Sequence, residues 1–147
     1  MDADVTIRPA ERGDLDSIHA IERASFPAPW RREFFESELT APGRFTLVAT
    51  RRGKVVGYIF AMWIFDEMHV NKIAVTESER RRGIAEELMD RCFNFAREHG
   101  VEMISLEVRQ SNIGAQEFYR QLEFESVYIR PRYYPDNEAA VVMTKRI

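Results

Sequence analysis

The chain has 147 residues, of which 45% are apolar, 31% charged and 12% aromatic, with a net charge of −3. Aromatics this frequent can fill a core, so the composition excludes a disordered chain, and the length suits one domain over residues 1–147. The slight acidic excess argues against a general nucleic-acid binder. No apolar run approaches the roughly 20 residues that span a bilayer, and the Met1-Asp2-Ala3-Asp4 start is acidic, unlike a secretory leader. A single cysteine, Cys92, excludes an intramolecular disulfide and fits a reducing compartment; the histidines at 19, 69 and 99 are too scattered to suggest a metal site. The expectation is a cytoplasmic protein with no metal, no membrane partner and no nucleic-acid partner.

In chain order, Val5 to Arg8 reads as a short strand. Leu15, Ile18 and Ile21 then share one face of a helix opened by Gly13-Asp14, with Asp14 as its N-cap. Phe26-Pro-Ala-Pro29 breaks that helix, and a second runs from about Trp30 to Leu39 with Pro29 near its first turn. After Ala41-Pro-Gly-Arg44, the strands Phe45 to Arg51 and Lys54 to Phe65 form a hairpin around Arg52-Gly53. Met68 to Val75 is a third strand. Thr76 to Arg82 is a charged loop. Ile84, Leu88, Cys92, Phe95 and Ala96 follow helical spacing up to a stop at Gly100. Met103 to Arg109 is a strand and Ile113 to Leu122 a helix. Glu125 to Arg130 and Ala139 to Thr144 are strands around the loop Pro131 to Glu138. The order β-α-α-β-β-β-α-β-α-β-β gives a mixed α/β fold. It has a mostly antiparallel central sheet, helices on both faces and one βαβ unit, where ligands sit at the carboxyl ends of the strands.

The turn between that strand and the long helix carries Arg80-Arg81-Arg82-Gly83-Ile84-Ala85-Glu86. A helix start presents unpaired N–H groups and partial positive charge, Gly83 allows close approach, and the arginines add formal charge: a site for a diphosphate. A P-loop would need a Gly-Lys-Ser/Thr ending and a dinucleotide fold a Gly-x-Gly pair; neither is present. Taken alone, the same residues also describe a solvated arginine run.

Arg80-x-x-Gly83-x-Ala85, following Ile73-Ala74-Val75, resembles the acetyl-CoA signature of the GNAT superfamily of N-acetyltransferases. Leu106 to Asn112, Phe118 to Phe124, Phe26-Pro-Ala-Pro-Trp30 and Arg132-Tyr-Tyr-Pro-Asp136 resemble its ribosomal-protein-alanine N-acetyltransferase branch. The resemblance covers nearly the whole chain. It implies the GNAT fold, with acetyl-CoA as cosubstrate on Ile73, Ala74, Val75, Arg80 to Glu86, Asn112 and Tyr119. It also implies that the strand carrying Ile73-Ala74-Val75 is splayed from its parallel neighbour, with the Val75 N–H as oxyanion donor. Glu107 is implied as base and Tyr119 as acid, with Phe26, Pro29, Trp30, Tyr133 and Tyr134 around a protein N-terminus, possibly that of a ribosomal protein.

The residues themselves leave rivals open. Ile104, Leu106 and Val108 share one strand face, so Glu107 points to the other with Ser105 and Arg109; a solvent-facing carboxylate is the plainer reading. Tyr119 alone reads as a core aromatic, Asn112 as an N-cap, and Tyr133-Tyr134 as a packed loop. His69 and Glu67 are competing bases, with His69 the stronger. Cys92 reads as core. Glu123 stands where the branch usually has glycine, which predicts a strained turn. Function rivals are a small-amine acetyltransferase and a non-enzymatic CoA-binding module.

Overall fold

The computed structural model describes residues 3–147; Met1 and Asp2 of the acidic start lie outside them. The strands are β1 (Val5–Pro9), β2 (Arg44–Arg51), β3 (Lys54–Ile64), β4 (Glu67–Val75), β5 (Met103–Arg109), β6 (Glu125–Arg130) and β7 (Ala140–Arg146). The helices are α1 (Leu15–Ser25), α2 (Arg32–Thr40), α3 (Ile84–Glu98) and α4 (Ile113–Gln121), with 3-10 turns at Arg12–Asp14 and Glu77–Glu79. The element order is the expected one. One seven-stranded sheet runs β1-β2-β3-β4-β5-β7-β6. Every neighbouring pair is antiparallel except β4 and β5, which are parallel across α3.

The β2–β3 hairpin closes through Arg52 and Gly53, both at positive φ, which matches the twist of the flanking strands. β3 is covered on both faces, which is why it reads as almost continuously apolar. Val55, Tyr58 and Phe60 join Leu15, Ile18 and Ile21 of α1 and Phe35 of α2 on one face. Val56, Ile59 and Ala61 join Leu88, Cys92 and Phe93 of α3 and Tyr119 of α4 on the other. Each fully buried Leu, Ile or Phe there stabilises by roughly 1.5–3 kcal/mol relative to exposure. Gly100, at φ +75°, ends α3, and the Val101 N–H returns to the Ala96 carbonyl at 2.9 Å.

Three local expectations change. Asp14 precedes α1 but does not cap it: its carboxylate takes a forked pair from Arg8 at 2.8 Å and the Glu11 N–H at 2.8 Å. α2 starts at Arg32 rather than Trp30, because the Trp30 N–H is drawn out to the carboxylate of Glu22 at 2.9 Å. β3 stops at Ile64, since Phe65 enters the next turn at φ +53°. Among the described residues no helix is long and apolar enough to cross a membrane.

Candidate active site

The site begins where the sheet opens. β4 and β5 pair only at Glu67–Met103, Met68–Ile104 and His69–Ser105, and then part. Just beyond, Asn71 has no partner on β3, whose Phe60 and Ala61 face Lys72 and Val70. It is the extra residue of a β-bulge, a device that bends a strand and increases its twist. The Thr76 N–H bonds the Val56 carbonyl at 2.8 Å. Antiparallel alternation therefore sends the Ala74 amide toward β3 and the Ile73 and Val75 amides toward the opening. Gly57, opposite Val75, permits this closeness: a Cβ there would meet the Ala74 carbonyl oxygen at 3.1 Å and Val75 Cγ2 at 3.3 Å.

The strand then feeds the arginine loop. Arg81 (φ +62°) and Gly83 (φ +83°) are left-handed, and Gly83 is the N-cap of α3. The first helical bond runs from Glu87 N–H to the Gly83 carbonyl at 3.0 Å, leaving the amides of Ile84, Ala85 and Glu86 without intrahelical acceptors. Arg81, Arg82 and Gly83 are exposed. Arg80 behaves differently. Its Nε donates to the Val75 carbonyl at 2.9 Å and its Nη2 to Ser25 Oγ at 3.4 Å, tying the loop to the end of β4 and to α1.

On the α1 side of the sheet stands Glu107, turned away from Leu106 and Val108 as its strand position requires. His69 Nε2 lies 2.9 Å from both carboxylate oxygens, and the Tyr133 hydroxyl donates to Oε1 at 2.9 Å. Burial opposes the ionised form of Glu107, but the His69 and Tyr133 hydrogen bonds and the charges of His69 and Arg130 outweigh it and hold the carboxyl below its usual range. Burial likewise opposes protonation of His69. Its bonds to Glu107 and Asn71 prevail and raise it above its ordinary value, against Arg130. Asn71 Oδ1 sits 2.5 Å from His69 Nδ1.

Two walls flank this pair. On the first, Glu22 is completely buried and accepts the Tyr58 hydroxyl at 2.5 Å, the Trp30 N–H at 2.9 Å and the Lys72 ammonium at 2.9 Å. That ammonium lies 3.9 Å above the centre of the Phe26 ring and 5.5 Å from that of Trp30, while Pro29 is exposed beside them. On the second, Tyr134 lies edge-on to Tyr133 with the Arg109 guanidinium 4.1 Å over its ring. Arg109 also holds Asp136 at 2.8 Å and Glu138 at 2.9 Å, and Glu138 accepts the Ser111 N–H at 2.8 Å, so the loop is pinned to the end of β5.

Phe26, Trp30, Glu107 and Tyr133 thus share one side. Tyr119 approaches from the other face: its ring is 8% exposed within the α3–α4 cluster against Phe118 and Phe124, while its hydroxyl senses that of Tyr134 on the second wall. Burial, with a smaller contribution from Tyr134, raises its pKa well above the ordinary phenol value. Asn112 spends its side-chain oxygen on the Ala115 N–H at 3.1 Å, as an N-cap. Cys92 is buried, its thiol pushed up to about 12, which agrees with a core residue. Among the described residues no group of three His, Cys, Asp or Glu is placed to hold a metal. Sequence reasoning missed Glu22, Lys72, Asn71 and Arg130. Glu22 carried a signal: it lies seven residues after Leu15 and four after Ile18, on the apolar face of α1.

Residues 15–124 match the model of the Acetyltransferase (GNAT) family. The chain belongs to the GNAT family of acetyltransferases. Its GNAT sheet, parted after His69, also superposes on solved structures. One is the ribosomal-protein-S18-alanine N-acetyltransferase of Escherichia coli, with TM-score 0.90 and 30% identity, covering 97% of this chain and 94% of that one. Ard1 of Thermoplasma volcanium gives TM-score 0.94 at 28% identity, with 99% of each chain covered. By sequence, an N-alpha-acetyltransferase of Saccharolobus solfataricus is 35% identical over 97% of this chain and 93% of its own length. These matches establish a GNAT enzyme.

Proposed function

We propose that this enzyme transfers acetyl from acetyl-CoA to the α-amine at a protein N-terminus. The observation that carries the reading is the opening of β4 from β5 directly beside Glu107, between the Phe26–Trp30 wall and the Tyr133–Tyr134 loop. The residues fit the cosubstrate. Free amides at the start of α3, the exposed Arg81 and Arg82 and the open space beside Gly83 suit a pyrophosphate, and the open side of Ile73-Ala74-Val75 suits the amide-bearing pantetheine arm. Arg80, expected at the cosubstrate, bonds the Val75 carbonyl and Ser25 Oγ and so shapes the loop beside them. Bound acetyl-CoA supplies an activated acyl group on a sulfur leaving group.

The chain's own residues do the rest. The Val75 N–H donates to the acetyl oxygen as negative charge develops on it. Glu107, kept ionised, accepts the proton of the attacking amine, directly or through water. Tyr119 stays protonated and donates a hydrogen bond to the departing thiolate. An α-amine, with a pKa of about 7.7–8.0, gives up its proton far more readily than a lysine at about 10.4, which suits a base held this acidic. The aromatic walls formed by Phe26, Trp30, Tyr133 and Tyr134 suit a peptide main chain better than a small polycation, which disfavours the polyamine alternative. A ribosomal-protein alanine is the acceptor suggested by the Escherichia coli relative, and the cytoplasm, where Cys92 stays reduced, is the matching compartment.

Peptides beginning Ala, Ser, Met and Lys, incubated with acetyl-CoA and sequenced by mass spectrometry, test the proposal. Acetyl on the α-amine supports it. Acetyl on lysine ε-amines alone, or on spermidine but no peptide, overturns it. E107Q should lower kcat by about 10²-fold; wild-type turnover would remove Glu107 from the role of base.

A further inference from the structure

Arg130 stands at the rim of the acceptor site with its charge unmatched. It is exposed at the end of β6, an edge strand of the sheet. Among the described residues no carboxylate lies within ion-pair distance of its guanidinium. Its hydrogen-bond partner is the Tyr128 hydroxyl, 3.1 Å from Nη2 and 3.4 Å from Nε. The guanidinium also lies 5.8 Å from the ring centre of Tyr128 and 5.7 Å from that of Tyr133. Lys72 and Arg109, the other arginine and lysine charges of the two walls, are already engaged: Lys72 by Glu22, and Arg109 by Asp136 and Glu138. The tyrosines thus hold the Arg130 guanidinium in place while leaving its Nη1 side open, and that fork matches a carboxylate.

Tyr133 sets how far this charge is from the chemistry. Its hydroxyl donates to Glu107 Oε1 at 2.9 Å, and its ring centre is the one 5.7 Å from Arg130 Cζ. Glu107 and Arg130 are therefore no more than about 12 Å apart, roughly three residues of extended chain. An amine at Glu107, on a chain passing the Tyr133–Tyr134 wall, brings the side chain of its second or third residue within reach of Arg130. We propose that Arg130 is a specificity-determining residue that selects acceptor N-termini carrying Asp or Glu at the second or third position. The inference rests on the acetyltransferase reading and deepens it by naming the substrate class. The site is then polar along its length: Glu107 on its floor receives the α-amine, and Arg130 on its rim receives a carboxylate. A basic side chain in that place meets a like charge, so selection works by repulsion as well as attraction. Because the pair is exposed, the effect is modest and falls with salt.

The test uses peptides that begin with Ala and differ only in having Glu, Gln or Lys at the second, third or eighth residue. They are assayed at saturating acetyl-CoA by thiol release. At the second or third residue, wild type should prefer Glu to Gln by about fivefold in kcat/KM, mostly through KM, with Lys poorest. At the eighth residue it should show no preference, which separates contact with Arg130 from long-range attraction. R130Q should bring Glu and Gln to parity, and R130E should reverse the order and favour Lys. Arg130 also helps hold Glu107 ionised, so each comparison is a ratio between peptides on one variant, in which that shared effect cancels. Molar salt should shrink the wild-type preference. Equal kcat/KM across the second- and third-residue peptides, a preference as large at the eighth, or an R130E variant with the wild-type order would overturn the proposal and leave the acetyltransferase reading standing. A wild-type enzyme that acetylates none of the peptides would overturn both.

Discussion

Removing the buried carboxylate of Glu22 should destabilise the protein more than any surface substitution. Glu22 is 0% exposed and receives three donors: the phenol of Tyr58, the main chain of Trp30 and the ammonium of Lys72. A hydrogen bond to a charged group contributes about 1.5–3 kcal/mol, and stripping one member of a buried pair typically costs about 3–5 kcal/mol. The Lys72 side chain is 15% exposed and keeps the face of Phe26, so its charge is not wholly stranded. E22A is therefore expected to lose about 3–4 kcal/mol. That is a large share of the roughly 5–15 kcal/mol that holds a domain folded. Urea unfolding followed by tryptophan fluorescence measures it as a lower midpoint at unchanged slope. The paired replacement E22L/K72M removes both charges but still strands the Tyr58 hydroxyl and the Trp30 N–H, so it should recover only about 1–2 kcal/mol of the loss. Both proteins lose the anchor of the Trp30 main chain, so both should show a raised peptide KM. An E22A loss below about 1 kcal/mol, or a double variant as unstable as E22A, would refute the reasoning.

Glu123 takes φ +71°, a region that costs a side-chain residue about 1–2 kcal/mol. After the added freedom of the unfolded chain is deducted, E123G should gain about 0.5–1 kcal/mol, read by calorimetry as a Tm higher by roughly 2 °C; a lower Tm would contradict it. The Glu123 to Lys145 pair at 3.5 Å does not offset this, because Glu123 is 86% exposed. Hydrogen bonds from Ser111 and Arg109 depress Glu138 from 4.5 to about 2. A lowered folded-state pKa stabilises above the ordinary value, so the pinning of the Tyr133–Tyr134 loop should be lost as pH falls from about 4.5 to about 2. An acid titration by near-ultraviolet circular dichroism should show that step in wild type and not in E138Q. Because a Cβ on Gly57 would stand 3.1 Å from the Ala74 carbonyl oxygen, G57A should cost about 1–3 kcal/mol. It should also weaken CoA binding in calorimetry; unchanged affinity would disconnect Gly57 from the cleft.

Much of this was legible in the residues. The spacing of Leu15, Ile18 and Ile21 marks α1, and the alternation of Ile104, Leu106 and Val108 gives the direction of Glu107 before any coordinates. The misreadings at Asp14 and Trp30 share a physical cause: a side chain elsewhere in the sequence captures the group that the local reading assigned to the helix start. Pro29 suggests a helix start at Trp30, but Glu22, eight residues back, holds the Trp30 amide outside the helix. Asp14 has the chemistry of a cap, but Arg8 across the turn takes its carboxylate. Arg80 belongs to a ligand motif, yet its guanidinium folds onto Val75 and Ser25. The splay of β4 was available only through family resemblance, because which strands stay paired is decided between residues far apart. The bulge at Asn71 left only a faint mark, since Asn71-Lys72 is a poor strand pair set within an otherwise strand-like run from Met68 to Val75.

That bulge links the shape of the site to its chemistry. Beyond His69 the chain has two demands on β4: it must stay hydrogen-bonded to β3, and it must leave β5 so that its other amides face an open cleft. A regular strand between two neighbours satisfies both edges at once, and the cleft would not exist. One extra residue bends β4 while letting its pairing with β3 resume at Lys72, so the departure leaves the antiparallel edge intact. The residue inserted for that purpose lies two positions after His69, close enough for its amide oxygen to hold the imidazole. Had the bulge fallen at Ile73, the cleft would still open, but nothing on β4 would fix the ring against Glu107. The place where the strand bends therefore determines which residue of β4 reaches His69 on the side away from the carboxylate.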